Sequence, residues 1–138
     1  MELLITALNH QGLGVAHHEG KTVFVSNALP GETVIAERTQ QHKRYDNAKA
    51  IEIIKASDAR VAPICPHFQV CGGCALQHMA SSAQLELKQN VLLEQLQHFA
   101  QAKPKSVLSP LSHHTAGYRR KARLGVKFVE KKNKLLIG

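Results

Sequence analysis

At 138 residues the chain has room for one ordinary domain or two small ones, and 43% hydrophobic residues allow a core although aromatics are only 4% and Trp is absent. No run approaches the roughly 18 apolar residues of a membrane span, Met1–Leu8 lacks the basic start and long apolar stretch of a signal peptide, and three clustered cysteines do not make a secreted disulfide framework. The formal net charge is +8, carried unevenly: residues 1–60 hold seven basic and seven acidic side chains, residues 118–138 eight basic ones against Glu130 alone. A cytoplasmic protein is expected, and the charge asymmetry points to a polyanionic partner, with nucleic acid the leading class and an anionic membrane surface the second. A solvated basic tail is the plainer alternative.

The first 55 residues predict a small all-β unit. Glu2–Leu8 alternates loosely, and Gly14–His18 and Lys21–Val25 flank Glu19-Gly20, a tight-hairpin signal. Gly12-Leu13-Gly14 is a turn rather than a phosphate loop, because no Lys-Ser/Thr follows. Leu29-Pro30-Gly31-Glu32 has Pro and Gly where a type II turn needs them. Thr33–Glu37 and Ala48–Ile54 supply two more strands. Five short strands in so few residues predict an antiparallel barrel, which removes exposed sheet edges. Between the last two strands, Arg38, His42, Lys43, Arg44 and Tyr45 form a basic cluster with one aromatic, suited to phosphate contacts plus base stacking. An ordinary polar loop fits them equally.

Pro63–His78 holds all three cysteines, Cys65, Cys71 and Cys74, spaced C-x5-C-x2-C in loop-forming sequence. Sulfur at this density points to a metal site. Gly72-Gly73 permits positive φ, which would let neighbouring sulfurs face one side. Four readings stand: an iron–sulfur cluster, which takes four cysteines and so lacks one here; zinc held by three cysteines with His67 or His78; a Cys71/Cys74 redox pair, for which the expected βαβ setting is missing; and three ordinary thiols.

Residues 81–100 predict a helix, with Ser81 and Gln84 as a capping box and Leu85, Leu92, Leu96 and Phe99 on one packing stripe. Lys103-Pro104 marks its end. After a Pro- and Ser-containing loop, alternation from Tyr118 predicts a strand with Arg119, Lys121 and Arg123 on one face and Arg120 and Ala122 opposite, a cationic surface for phosphates. The chain stops at Leu135–Gly138, inside or just after a second strand. It reads as a fragment.

With these pieces in place the chain resembles, nearly end to end, the N-terminal part of the ribosomal RNA (uracil-C5)-methyltransferases that act on 23S RNA. Gly12-x-Gly-x-Ala16, Val23-Phe-Val25 and Ala28–Glu32 resemble a TRAM domain, an OB-like RNA-binding β-barrel. Arg60-Val-x-Pro63 followed by Cys65-Pro-His-Phe-x-x-Cys71-Gly-Gly-Cys74-x-Leu-Gln-His78 resembles the family's iron–sulfur motif. Lys88 lies in the helix that follows it, and Gly117–Leu124 resembles the opening of the central β-rich domain.

The resemblance implies a mainly β fold with one long helix: a TRAM-like barrel at residues 1–58, then an incomplete α+β iron–sulfur domain at 59–138. It implies a [4Fe-4S] cluster with Cys65, Cys71 and Cys74 as three ligands and a later cysteine as the fourth. It also implies an S-adenosylmethionine-binding catalytic domain outside this sequence, so no catalytic residue is assigned. A thiolate would attack uracil C6, the methyl group would pass to C5, and the C5 proton would leave. Lys43, Arg44, Tyr45, Arg119, Arg120, Lys121 and Arg123 are the expected RNA contacts, with 23S RNA as partner and a monomer as the state. The alternative is a stand-alone RNA-binding module stapled by metal and lacking activity. Radical methylthiotransferases also carry TRAM domains, but their C-x3-C-x2-C spacing does not match.

Overall fold

The computed structural model describes residues 1–137; Gly138, where the last expected strand closes, lies outside the described residues. Six strands form one sheet: β1 Glu2–Leu4, β2 Ala7–Leu8, β3 Gly14–His18, β4 Lys21–Ser26, β5 Thr33–Gln41 and β6 Tyr45–Lys55, in the order β1-β5-β6-β4-β3-β2. Alternation along β4 buries Val23 and Val25 and leaves Phe24 and Ser26 half-exposed. Leu3, Ile5, Ala16, Val34, Ala36, Ala48 and Ala50 complete the same core. The period of two thus decides which face becomes interior.

The turns follow their residues. Glu19 and Gly20 both take positive φ, 50° and 76°, as a two-residue hairpin requires. Gly31 sits at φ 82°, and the Glu32 N–H donates to the Leu29 carbonyl at 3.2 Å.

Two features differ from expectation. The sheet is mixed, since β4 pairs with β6 in parallel while every other pairing is antiparallel. The intervening β5 serves as the crossover and pairs β6 on its other side. Nor does the ladder close into a barrel: β1 and β2 are its two edges. These edges are consecutive in the chain and separated only by Ile5 and Thr6. The Ile5 N–H donates to Glu32 and the Thr6 N–H to Val15, so one short segment turns from one edge of the curled sheet to the other. Ile5 is buried, and pulling it inward breaks what the pattern reads as a single strand.

The helix α1 spans Ser81–Phe99, built of good helix formers with no Gly or Pro inside. Its N-cap is Ala80 rather than Ser81, with no side-chain cap. The Ala80 N–H is instead held by the Ala59 carbonyl, and Gln84 Nε2 donates to Leu76 and Met79 carbonyls at 2.9 and 2.8 Å. The expected packing stripe is not buried: no α1 residue is, and Leu92 and Phe99 are exposed. The expected strand from Tyr118 is also absent. Residues 119–123 are irregular, and the hairpin begins later, with β7 Val126–Val129 and β8 Lys134–Ile137 joined by a 3-10 turn at Glu130–Lys132. Four cations in five positions, Arg119, Arg120, Lys121 and Arg123, repel one another, whereas Val126, Phe128 and Ile137 supply the β-branched and aromatic residues that favour strands.

Candidate nucleic-acid interface and cysteine loop

The β5–β6 hairpin carries Lys43 and Arg44 at its tip, where the His42 N–H donates to the Tyr45 carbonyl at 3.0 Å. Tyr45 opens β6 and is 37% exposed, with the His42 ring stacked on it at 4.5 Å and Phe24 meeting it edge-on at 5.5 Å. The neighbouring cations are used differently. Buried Asp46 draws in Arg38 at 3.1 Å and Lys21 at 3.5 Å, so these two are structural. Lys43 and Arg44, among the described residues, carry no ion pair.

The second basic group, Arg119, Arg120, Lys121 and Arg123, is exposed along the irregular stretch before β7, with the Arg119 guanidinium 5.8 Å from the Tyr118 ring centroid. Among the described residues no hydrogen bond or ion pair joins it to the hairpin tip. The two expected RNA-contacting groups lie on different elements, one on the β5–β6 hairpin and one in the stretch before β7.

The cysteines lie on a loop pinched at its base. Arg60 bridges Met79, the Val61 N–H donates to His78, and the Ala80 N–H donates to Ala59, so residues 59–61 and 78–80 form a short clasp. Between them, the Cys65 N–H is held by Gln77 Oε1 at 3.2 Å, and Phe68 and Cys71 N–H groups donate to the Cys65 and His67 carbonyls. Leu76 covers Gly12, whose φ of 80° and absent side chain admit it: a Cβ there would stand 2.9 Å from Leu76 Cδ2. The loop is thereby seated on the sheet unit.

All three thiols are unbridged, Cys71 and Cys74 exposed and Cys65 half-buried. The Gly73 N–H points at Cys71 Sγ, 3.4 Å away, and Gly72 has the expected positive φ of 73°. The donor chemistry suits a soft metal. The geometry does not yet assemble it, because among the described residues no three His, Cys, Asp or Glu side chains converge as a metal-holding group.

His78, weighed as a zinc ligand in the sequence, is buried beneath the loop against Phe68 with ring centroids 5.3 Å apart. Neither ring nitrogen has a partner. Burial, and then the Arg60 charge, push its pKa down, so the ring is neutral. Sequence reasoning misses the Glu32–Arg60 pair that ties the clasp to the sheet, because those residues lie far apart in the chain. Among the described residues no helix is long and apolar enough to cross a membrane.

Residues 1–51 match the TRAM domain family. Along 99% of its length the chain is 49% identical to the 23S rRNA (uracil(1939)-C(5))-methyltransferase RlmD of Alkalilimnicola ehrlichii and 50% identical to that of Francisella tularensis subsp. novicida, covering 31% of each. The RlmD of Alcanivorax borkumensis is 49% identical over 97% of the chain and 30% of the relative. The chain thus spans about a third of the length of the curated relatives it matches. It begins with a TRAM domain and throughout corresponds to the N-terminal part of the RlmD-type 23S rRNA uracil-C5-methyltransferases.

Proposed function

We propose that this chain is the RNA-holding N-terminal portion of an S-adenosylmethionine-dependent methyltransferase that forms 5-methyluridine in 23S ribosomal RNA, working in the cytoplasm as a monomer. The observation that carries the reading is identity of 49–50% along nearly the whole chain to proteins named for that reaction. The sheet unit through about residue 58 binds RNA, with Lys43 and Arg44 on phosphates and Tyr45 beside them. Arg119, Arg120, Lys121 and Arg123 form a second phosphate-binding surface in the part from residue 59 onward. Their exposure and lack of competing carboxylates support this, since cations already paired release fewer counterions on binding.

Cys65, Cys71 and Cys74 are proposed as three ligands of a [4Fe-4S] cluster, with a fourth from outside these three. Support comes from three free thiols on one loop and from an N–H aimed at one sulfur, a contact that tunes such clusters. The loop has to tighten to gather the sulfurs, and Gly72, with nothing within 4 Å of its Cβ position, leaves room for that. Cys65, Cys71 and Cys74 would hold the cluster, which would tie the loop's three sulfurs together as a staple. No described residue is assigned a part in methyl transfer.

The test is methylation by the full-length gene product. Incubated with an unmodified 23S RNA fragment and methyl-labelled S-adenosylmethionine, it should place label at C5 of one uridine. Label elsewhere, or none, overturns the reading.

A further inference from the structure

The outer face of the sheet carries a hollow beside Tyr45. Its floor is Phe24 on β4 and Asn47 on β6, which pair directly in the parallel register. Tyr45 forms one wall and the Asn9–Leu13 turn, with His10 exposed on it, the other. Asn9 Oδ1 fixes that turn by accepting from the Gln11 and Leu13 N–H groups at 3.0 and 2.9 Å. Thr39 reaches the hollow from β5, where the register shifts between Arg38 and Gln40 and leaves Thr39 as the extra residue of a bulge. Bulges recur where a strand must re-aim a side chain beside a site.

The hollow measures about 380 Å³, within the usual range for small-ligand pockets. It combines aromatic surface with an amide and a hydroxyl, and the unpaired cations Lys43 and Arg44 precede Tyr45 directly in the chain. A flat heteroaromatic ring attached to a polyanion meets all three features at once. The geometry points to a pocket for one nucleobase of an unpaired RNA nucleotide, the base stacked on the face of Tyr45 that His42 does not cover, with Phe24 beside it, its edge facing Asn47 and Thr39, and its flanking phosphates at Lys43 and Arg44. A base inside an A-form duplex cannot enter, because its faces are stacked on neighbours and its major-groove edge is out of reach. This rests on the RNA-holding reading above and adds which state of the RNA is selected.

The experiment uses the chain with a short single-stranded RNA carrying one 2-aminopurine, and the same sequence annealed to its complement. The single strand should bind more tightly and its 2-aminopurine fluorescence should be quenched by stacking, while the duplex shows neither effect. Tyr45→Leu should weaken single-strand binding by roughly tenfold, the scale of losing one stacked base, with the salt slope unchanged. It should also abolish quenching, while Tyr45→Trp retains both. Equal single-strand affinity and quenching in Tyr45→Leu and the parent would overturn the pocket. So would equal binding of single strand and duplex, although salt-dependent binding of both would leave the RNA-holding reading standing. Binding of neither RNA would remove both.

Discussion

The guanidinium of Arg60 grips the carboxylate of Glu32 at two points across 28 residues of sequence, Nε on Oε1 and Nη2 on Oε2 at 2.8 Å. Glu32 is fully buried and also accepts from the Leu29 and Ser57 N–H groups, while Arg60 donates a further bond to the Asn27 carbonyl. One end of this pair belongs to the turn before β5 and the other to the clasp at the base of the cysteine loop. It is the polar joint between the sheet unit and the cysteine loop.

Removing the cation leaves a buried, unpaired carboxylate. Arg60→Met should therefore lower unfolding stability by about 3 kcal/mol in urea titration. The double change Arg60→Met with Glu32→Gln should recover part of that loss, since no charge then remains buried. Arg60→Lys should fall between, because an ammonium cannot form the two-point contact. A single Arg60→Met variant as stable as the parent would show that the joint contributes nothing.

Acid should loosen the same region in two stages. Burial alone would raise the Glu32 pKa, but the Arg60, Leu29 and Ser57 hydrogen bonds outweigh it and hold the carboxyl below its ordinary 4.5. Burial and the Arg60 charge keep His78 below its ordinary 6.5. In both cases the unfolded chain binds protons more readily, so stability falls as pH drops. The His78 contribution starts to be lost below about pH 6.5 and the Glu32 contribution below about pH 4.5. His78→Phe, which removes the unpartnered ring nitrogens, should flatten the upper stage in urea titrations from pH 7.5 to 5 and leave the lower one. An unchanged upper slope would assign it elsewhere.

Free and ion-paired cations should differ in their effect on RNA binding. Arg119→Ala, Arg120→Ala and Arg123→Ala together should weaken RNA binding by an amount that shrinks as salt rises, reducing the salt slope by about one for each phosphate these cations neutralise. Lys21→Ala or Arg38→Ala should change the slope less, because both cations are held by the Asp46 carboxylate rather than free to meet a phosphate. Binding isotherms across a salt series distinguish these outcomes. A slope unchanged by the triple substitution would remove the 119–123 surface from the interface.

The turns, the strand faces and the long helix were legible because each is set by neighbours in sequence: Glu19-Gly20, Pro30-Gly31, Val23 against Phe24, and the Leu-rich run from Ser81. What could not be read was set by residues far apart. The parallel β4–β6 pairing depends on where β5 returns, the break at Ile5 on the core it fills, and the Glu32–Arg60 joint on the clasp. The capping box failed for the same reason, since the loop claims Gln84 for the Leu76 and Met79 carbonyls. The 119–123 strand fails because alternation alone does not weigh the repulsion among four cations in five positions. Of the interface, Tyr45 was visible as an aromatic beside cations, whereas Phe24, Asn47 and Thr39 joined it only through strand register.

The cysteines carry the sharpest chemical expectation. Without metal, Cys71 and Cys74 are exposed and should react quickly with a thiol reagent, and half-buried Cys65 more slowly, giving three equivalents in all. Anaerobic addition of ferrous and ferric iron in equal amounts with sulfide should protect all three together, with iron and acid-labile sulfide in equal amounts. Each of Cys65→Ser, Cys71→Ser and Cys74→Ser should lower the iron retained and re-expose the remaining thiols. Gly72→Val, which alters no ligand but forbids the positive φ, should lower it as well, because the loop could no longer draw Cys71 and Cys74 to one side. Protection by zinc without sulfide, or thiols left reactive in the presence of iron and sulfide, would refute the cluster.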